Sequence, residues 1–178
     1  MAAKPGKSAT PTSPDVGAFI ITRVFDAPRD RVWKAWSDAE ALGQWWGPKG
    51  CKVRVASLDF RPGGLFHYAM DYATGATMWG RFFYLDIVKG ERIVWLNAFS
   101  NEGGGITRAP FGPDVPLEFH NAMDLTEAAG KTTLTLSSRP HGPTEDEQTF
   151  FDGMHGSLAQ GFGGTMDQLS VYLGTYEG

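Results

Sequence analysis

The side chains able to do chemistry in this chain are few, and they are scattered through apolar stretches: Arg23, His67, Trp79, Asn97, His120, Asn121 and His155. A histidine titrating near neutrality suits proton transfer, but a general base needs a neighbour that orients it. No carboxylate stands at a spacing that would serve His67, which lies between Phe66 and Tyr68. Alternation puts His120 on the face opposite Asn121, toward solvent, and His155 belongs to the C-terminal stretch. No His-x-His or His-Glu-x-x-His spacing occurs, so no metal site is expected. Gly103, Gly104 and Gly105 are followed by no Lys-Ser or Lys-Thr pair. They do not read as a phosphate cradle, and no cofactor is expected. No nucleophile, base and orienting group can be drawn together, so no catalytic residue is assigned.

Arg23 poses a different question. Strand alternation sets it on the face that carries Phe19, Ile21 and Phe25. A guanidinium among apolar neighbours demands a carboxylate, either from the protein or from a ligand. The remaining candidates are aromatic or apolar. Trp45, Trp46, Phe66, Tyr68, Trp79, Phe83, Trp95, Phe119 and Phe162 come from nearly every element and read as a core or as the wall of an apolar pocket. The expected ligand-binding set is Arg23, Trp45, Phe66, Tyr68, Trp79, Phe83, Trp95, Phe119, Asn121, Met154, Leu158 and Phe162.

The elements that must position these residues follow from periodicity. Residues 145–173 place Phe151, Met154, Leu158, Phe162, Met166, Leu169 and Leu173 at steps of three or four, the spacing of one long helix. Thr144 with Glu147 three residues on predicts its N-cap. Gly153, Gly156, Gly161, Gly163 and Gly164 lie inside that run, each weakening a helix by about 1 kcal/mol against alanine. Packing against another layer must therefore hold it. Upstream, residues 18–25 read as a strand, and residues 29–37 and 38–45 as two short helices. Six further strands are expected at 51–59, 65–72, 78–88, 92–99, 117–126 and 132–138, joined mostly by tight Gly-containing turns. Residues 100–116, with their glycines and prolines, read as a long loop of the kind that forms lids. Short consecutive strands joined by tight turns pair antiparallel. The expected architecture is α+β: a curved antiparallel sheet of about six to seven strands wrapped around a long C-terminal helix, with two short helices after the first strand.

Composition sets the limits. The 178 residues suit one domain, expected over 18–178, after a Pro, Ser and Thr-rich tail at 1–17 read as disordered. A net charge of −4 offers no basic stripe for nucleic acid. Cys51 is the sole cysteine, so no internal disulfide can form, and it is expected to be a small buried hydrophobe. No apolar run approaches the ~18 residues of a membrane span, and no secretory h-region is visible, so a cytoplasmic protein is expected.

Several motifs in order carry a family resemblance: residues 23–36 (RVFDAPRDRVWKAW), Trp45-Trp46-Gly-Pro, Asp59-Phe-Arg-Pro-Gly-Gly, Gly153-Met-His-Gly-Ser-Leu and the run from Gly161 to Leu169. Together they resemble the START-like, Bet v 1-like (SRPBCC) superfamily, and within it the branch of the C-terminal domain of Aha-type activators of the ninety-kilodalton heat-shock chaperone. The chain departs from many relatives in having Phe162 where they carry tryptophan, and no separate activator N-terminal domain is expected. The resemblance implies a helix-grip fold with a cavity between sheet and C-terminal helix that takes a small apolar or aromatic molecule. Its alternatives are a polyketide cyclase or aromatase-like enzyme using His67, Tyr68 or Asn121, and a chaperone-ATPase-activator-like interaction module with an exposed apolar patch near Trp45-Trp46. It also allows a homodimer.

Overall fold

A computed structural model describes residues 17–175. The expected disordered tail at 1–17 lies outside them, except for Gly17. Strand β1 (Phe19–Phe25) leads through helices α1 (Arg29–Ser37) and α2 (Ala39–Trp45) into strands β2 (Cys51–Leu58), β3 (Leu65–Tyr72), β4 (Thr77–Val88), β5 (Arg92–Ser100), β6 (Phe119–Ala128) and β7 (Lys131–Pro140). Helices α3 (Glu145–Gly153) and α4 (His155–Thr175) close the described chain. All seven strands form one antiparallel sheet in the order β1-β7-β6-β5-β4-β3-β2, with the helical layer on its concave face. This is the α+β arrangement expected from the periodicity and the helix-grip fold that the resemblance implies.

Alternation explains which side of the sheet is dry. Phe66, Tyr68, Phe82, Tyr84, Ile93, Trp95, Met123, Leu125, Leu134 and Leu136 point inward and are buried with Met166, Leu169 and Leu173 of α4. The alternation in β4 differs from its expected phase. Phe82 and Tyr84, not Trp79 and Phe83, face the core. An irregularity between Tyr84 and Asp86 then shifts the register, so that Ile87 returns to the inner side opposite Ile93.

The C-terminal rod also differs from a single helix. It breaks at Met154, whose φ of −103° and ψ of 6° are not helical, and α3 and α4 run on either side. Gly153 next to the break supplies a weak propagator, and the Met154 amide closes on the Phe151 carbonyl at 3.0 Å. The expected cap at Thr144 is present as a reciprocal capping box with Glu147. The second segment is clamped to the end of α2. Thr165 Oγ1 and Gln168 Nε2 both donate to the Gly47 carbonyl, at 3.0 and 2.7 Å.

A Cβ added at Gly156 or Gly163 would meet nothing within 4 Å. These glycines lower the helix's intrinsic stability without being needed for a close approach. The double replacement Gly156→Ala with Gly163→Ala is therefore expected to stabilise the domain by about 1–2 kcal/mol. Urea unfolding would show this as a raised midpoint at unchanged slope. A lowered midpoint would mean that the bare backbone there serves a contact.

Candidate ligand-binding site

Two inner rows of the sheet build the floor of the site. In one, Ser138 and Asn121 lie side by side on β7 and β6, flanked by Phe19 on β1 and by the core residue Trp95 on β5; in the next, Phe119 and Asn97 neighbour each other on β6 and β5. Helix α4 covers the β1 side of this floor, where Phe162 stacks on Phe19 with ring centroids 5.9 Å apart. The break at Met154 bends the rod over the floor. Loop 101–118 comes over from the opposite side and brings Phe111 edge-on to Phe99 at 5.7 Å.

Between these walls opens a hollow of about 430 Å³. Phe99, Phe111, Phe119, Phe150, Leu158 and Phe162 are among the side chains that line it. Phe111 and Phe150 stand at the rim, 67% and 39% exposed. A second apolar hollow of about 330 Å³ shares Phe99, Phe111, Leu158 and Phe162 and extends toward Met70, Tyr72 and Met78. The two hollows are neighbours, with Leu158 and Phe162 lining both. Both volumes fall in or near the range of small-molecule sites, roughly 300–1,000 Å³.

Of the residues expected from the sequence, Phe119, Asn121, Met154, Leu158 and Phe162 line the main hollow. The others lie elsewhere. Trp45, Phe66, Tyr68 and Trp95 are packed in the core behind it, where Trp36, Trp45, Trp46 and Trp95 make a cluster of contacting rings. Trp45 Nε1 donates to the Ala35 carbonyl at 2.9 Å and the ring is 1% exposed, whereas Trp46 beside it is partly exposed. The Tyr68 ring lies flat on β4 because Gly80 has no side chain; a Cβ there would sit 2.6 Å from the ring. Burial pushes the Tyr68 hydroxyl up to about 12, against the opposing influence of Trp46 and Asn97, so it stays neutral.

Trp79 and Phe83 belong to the outer face. Trp79 stacks on His67 at 4.9 Å, and the Arg54 guanidinium lies over the Trp79 ring, 5.7 Å from its centroid. His67 Nε2 meets the Asn101 carbonyl at 3.1 Å and helps fix the turn that starts loop 101–118. His67 is thus separated from the hollow by the sheet. His120 is half-buried on that outer face, where burial pushes its pKa down, aided by Arg139. His155 lies inside, edge-on to Phe19 and Phe151 at 5.9 and 5.0 Å. Among the described residues no three His, Cys, Asp or Glu side chains converge as a metal-binding group. Cys51 is partly exposed, its thiol donates to the Pro48 carbonyl at 3.1 Å, and burial raises its pKa.

Arg23 has a protein carboxylate. Its Nη2 donates to Asp167 Oδ1 at 2.8 Å and to the Gly163 carbonyl at 3.3 Å, tying β1 to α4. The guanidinium is satisfied without a ligand.

Sequence reading did not assign Phe99, Phe111, Val115, Ser138, Phe150 and Ser157 to the site, and named Asn97 only as a candidate. Ser138 was within reach: continuing the inward phase of Leu134 and Leu136 leads to it. Phe111 was not, because a loop carries no period.

One ion pair holds the loop to the helical layer. Arg108 Nη1 donates to Glu147 Oε1 at 2.6 Å and to the Val115 carbonyl at 3.4 Å, while Glu147 Oε2 accepts from the Thr144 amide at 3.1 Å. The Arg108 guanidinium, then the Thr144 amide, hold the Glu147 carboxyl below its usual range. A depressed folded pKa means that the stabilisation is complete above the unfolded value of about 4.3 and is lost as pH falls through the folded one. Glu147→Gln should therefore lower the melting temperature at neutral pH and give a shallower decline than wild type below about pH 4. Parallel declines in thermal scans across that range would show that the pair does not secure the loop.

A curved seven-stranded sheet gripping a C-terminal helix over an apolar hollow defines a helix-grip domain of the SRPBCC superfamily. The profile of the family described as "Activator of Hsp90 ATPase homolog 1-like protein" matches residues 26–174, and the chain belongs to that family. Solved structures agree on the fold. A solution structure of an Arthrobacter aurescens protein superposes with a TM-score of 0.74 at 24% identity, covering 90% of this chain and 87% of that one. A Mycobacterium smegmatis crystal structure gives 0.66 at 26% identity, with 85% and 87% covered. The AHSA1 protein of Silicibacter pomeroyi gives 0.68 at 19% identity, with 89% and 98% covered. A comparison with curated proteins finds no match. Fold and family support a ligand-binding or chaperone-activator-like domain. No helix among the described residues is long and apolar enough to cross a membrane.

Proposed function

We propose that residues 18–178 form a single domain that binds a small apolar or aromatic molecule between the sheet, α4 and loop 101–118, as a cytoplasmic protein. The observation that carries this reading is the hollow of about 430 Å³, walled by aromatic and aliphatic side chains contributed by β5, β6, loop 101–118, α3 and α4. A helix and a curved sheet cannot interdigitate fully, and apolar surface left facing such a space is stabilised by an apolar guest. Exposed Phe111 on the loop and Phe150 on α3 form a rim that would close over it. Binding is favoured over turnover because the described residues that line the hollow include no titratable acid or base.

Nile red, a neutral dye that brightens in apolar surroundings, tests this directly. The expected result is saturable one-to-one binding with a blue-shifted emission maximum. A weak signal rising linearly with dye would remove the reading. Native mass spectrometry of protein purified from its own host should show the accompanying small molecule.

A further inference from the structure

The main hollow is apolar except for Asn97, Asn121, Ser138 and Ser157. Asn121 is 2% exposed and is held in the sheet between Trp95 on β5 and Ser138 on β7. Its Nδ2 donates to the Phe119 carbonyl at 3.3 Å. The reversed amide would set Oδ1 against that carbonyl, oxygen to oxygen, so the nitrogen is fixed on the Phe119 side. Oδ1 is then the free end, and it is buried without a hydrogen-bond donor. A buried acceptor left unpaired costs free energy that a native fold normally avoids. Asn121 lines the hollow, and once its side chain turns toward that space a guest can supply the missing donor.

Charge narrows the class further. Among the described residues no Asp, Glu, Lys, Arg or His lines this hollow, and Arg108 and Arg23 are paired with Glu147 and Asp167. A carboxylate or ammonium guest would be buried without a counter-charge.

We infer that the site takes a neutral apolar or aromatic molecule bearing a hydroxyl or N–H donor, and that Asn121 Oδ1 accepts this hydrogen. The inference rests on the binding reading above and adds a polarity requirement to it. Three naphthalenes differing at one position test it by calorimetry on the full chain: 2-naphthol, 2-methoxynaphthalene and 2-naphthoate. Wild type is expected to prefer 2-naphthol to 2-methoxynaphthalene by about tenfold. In Asn121→Leu that ratio should fall close to one, with 2-methoxynaphthalene still bound. Asn121→Ala, which introduces no added bulk, gives the same comparison should the leucine variant not fold. The ratio in wild type needs no variant at all.

Equal affinities of the two neutral ligands for wild type would overturn the donor requirement and leave apolar binding intact. So would a preference that survives both substitutions. Binding of 2-naphthoate as tight as that of 2-naphthol would overturn the requirement for neutrality. If neither neutral naphthalene nor Nile red binds, the hollow is not a ligand site and both readings fall.

Discussion

Gly64→Ala is expected to destabilise the domain by about 3 kcal/mol, lowering the melting temperature by about 10 °C. Gly64 ends the turn after β2. A Cβ there would be driven into the Asp59 carbonyl oxygen, with Asp59 Cγ 2.9 Å and the Arg61 carbonyl 3.0 Å away. The obstacle is mostly backbone, which cannot swing aside. The same turn is docked on β4: the Gly63 amide donates to the Tyr84 carbonyl at 2.7 Å, and the Tyr84 amide to the Gly64 carbonyl at 3.0 Å. Displacing it would also disturb the β4 irregularity that steers Ile87 inward. Gly63→Ala is the internal control. Gly63 has a φ of +82° but no atom within 4 Å of an added Cβ, so only conformational strain of about 1 kcal/mol applies. Thermal unfolding of both variants checks the contrast. Equal losses would show that strain, not collision, sets the cost at this turn.

The second large effect concerns binding. Leu158→Trp should weaken Nile red affinity by about thirtyfold or more, roughly 2 kcal/mol, while moving the melting temperature by only a few degrees. Leu158 is half-buried on α4 and lines both hollows, so an indole there fills space that no core residue occupies. Overpacking is damaging where the surroundings are dense; here the added ring has room. Unchanged affinity would place the dye somewhere else on the protein.

Which features were legible from the sequence divides along physical lines. Period-two alternation and tight turns identified the strands, because a sheet dry on one face imposes that pattern locally. The Thr144–Glu147 cap was legible for the same reason: both partners lie within one turn. The phase of β4 was not. Trp79, Phe83, Leu85 and Ile87 alternate in the sequence as well as Phe82 and Tyr84 do, and only the register shift after Tyr84 decides between them. Of the residues lining the hollow, Phe119, Asn121, Leu158 and Phe162 sit on regular elements and Met154 keeps the helical spacing across the break, and all five belong to the expected set. Phe111 sits on a loop whose path depends on contacts such as Arg108 with Glu147, 39 residues away. The break at Met154 is likewise invisible to helical spacing, since Phe151, Met154 and Leu158 remain three and four apart on either side of it.

The first strand of the chain is hydrogen-bonded to the last, with Phe19 opposite Ser138 and Thr132 Oγ1 donating to the Ala27 carbonyl at 2.7 Å. During synthesis β1 therefore leaves the ribosome long before its partner exists. Every hairpin from β2 to β5 can zip as it emerges, while β1 waits with both edges open. Such a distant pairing slows folding and prolongs exposure of an aggregation-prone segment. Expression at low temperature, or with a holdase chaperone present, should raise the soluble yield more than any change in the core.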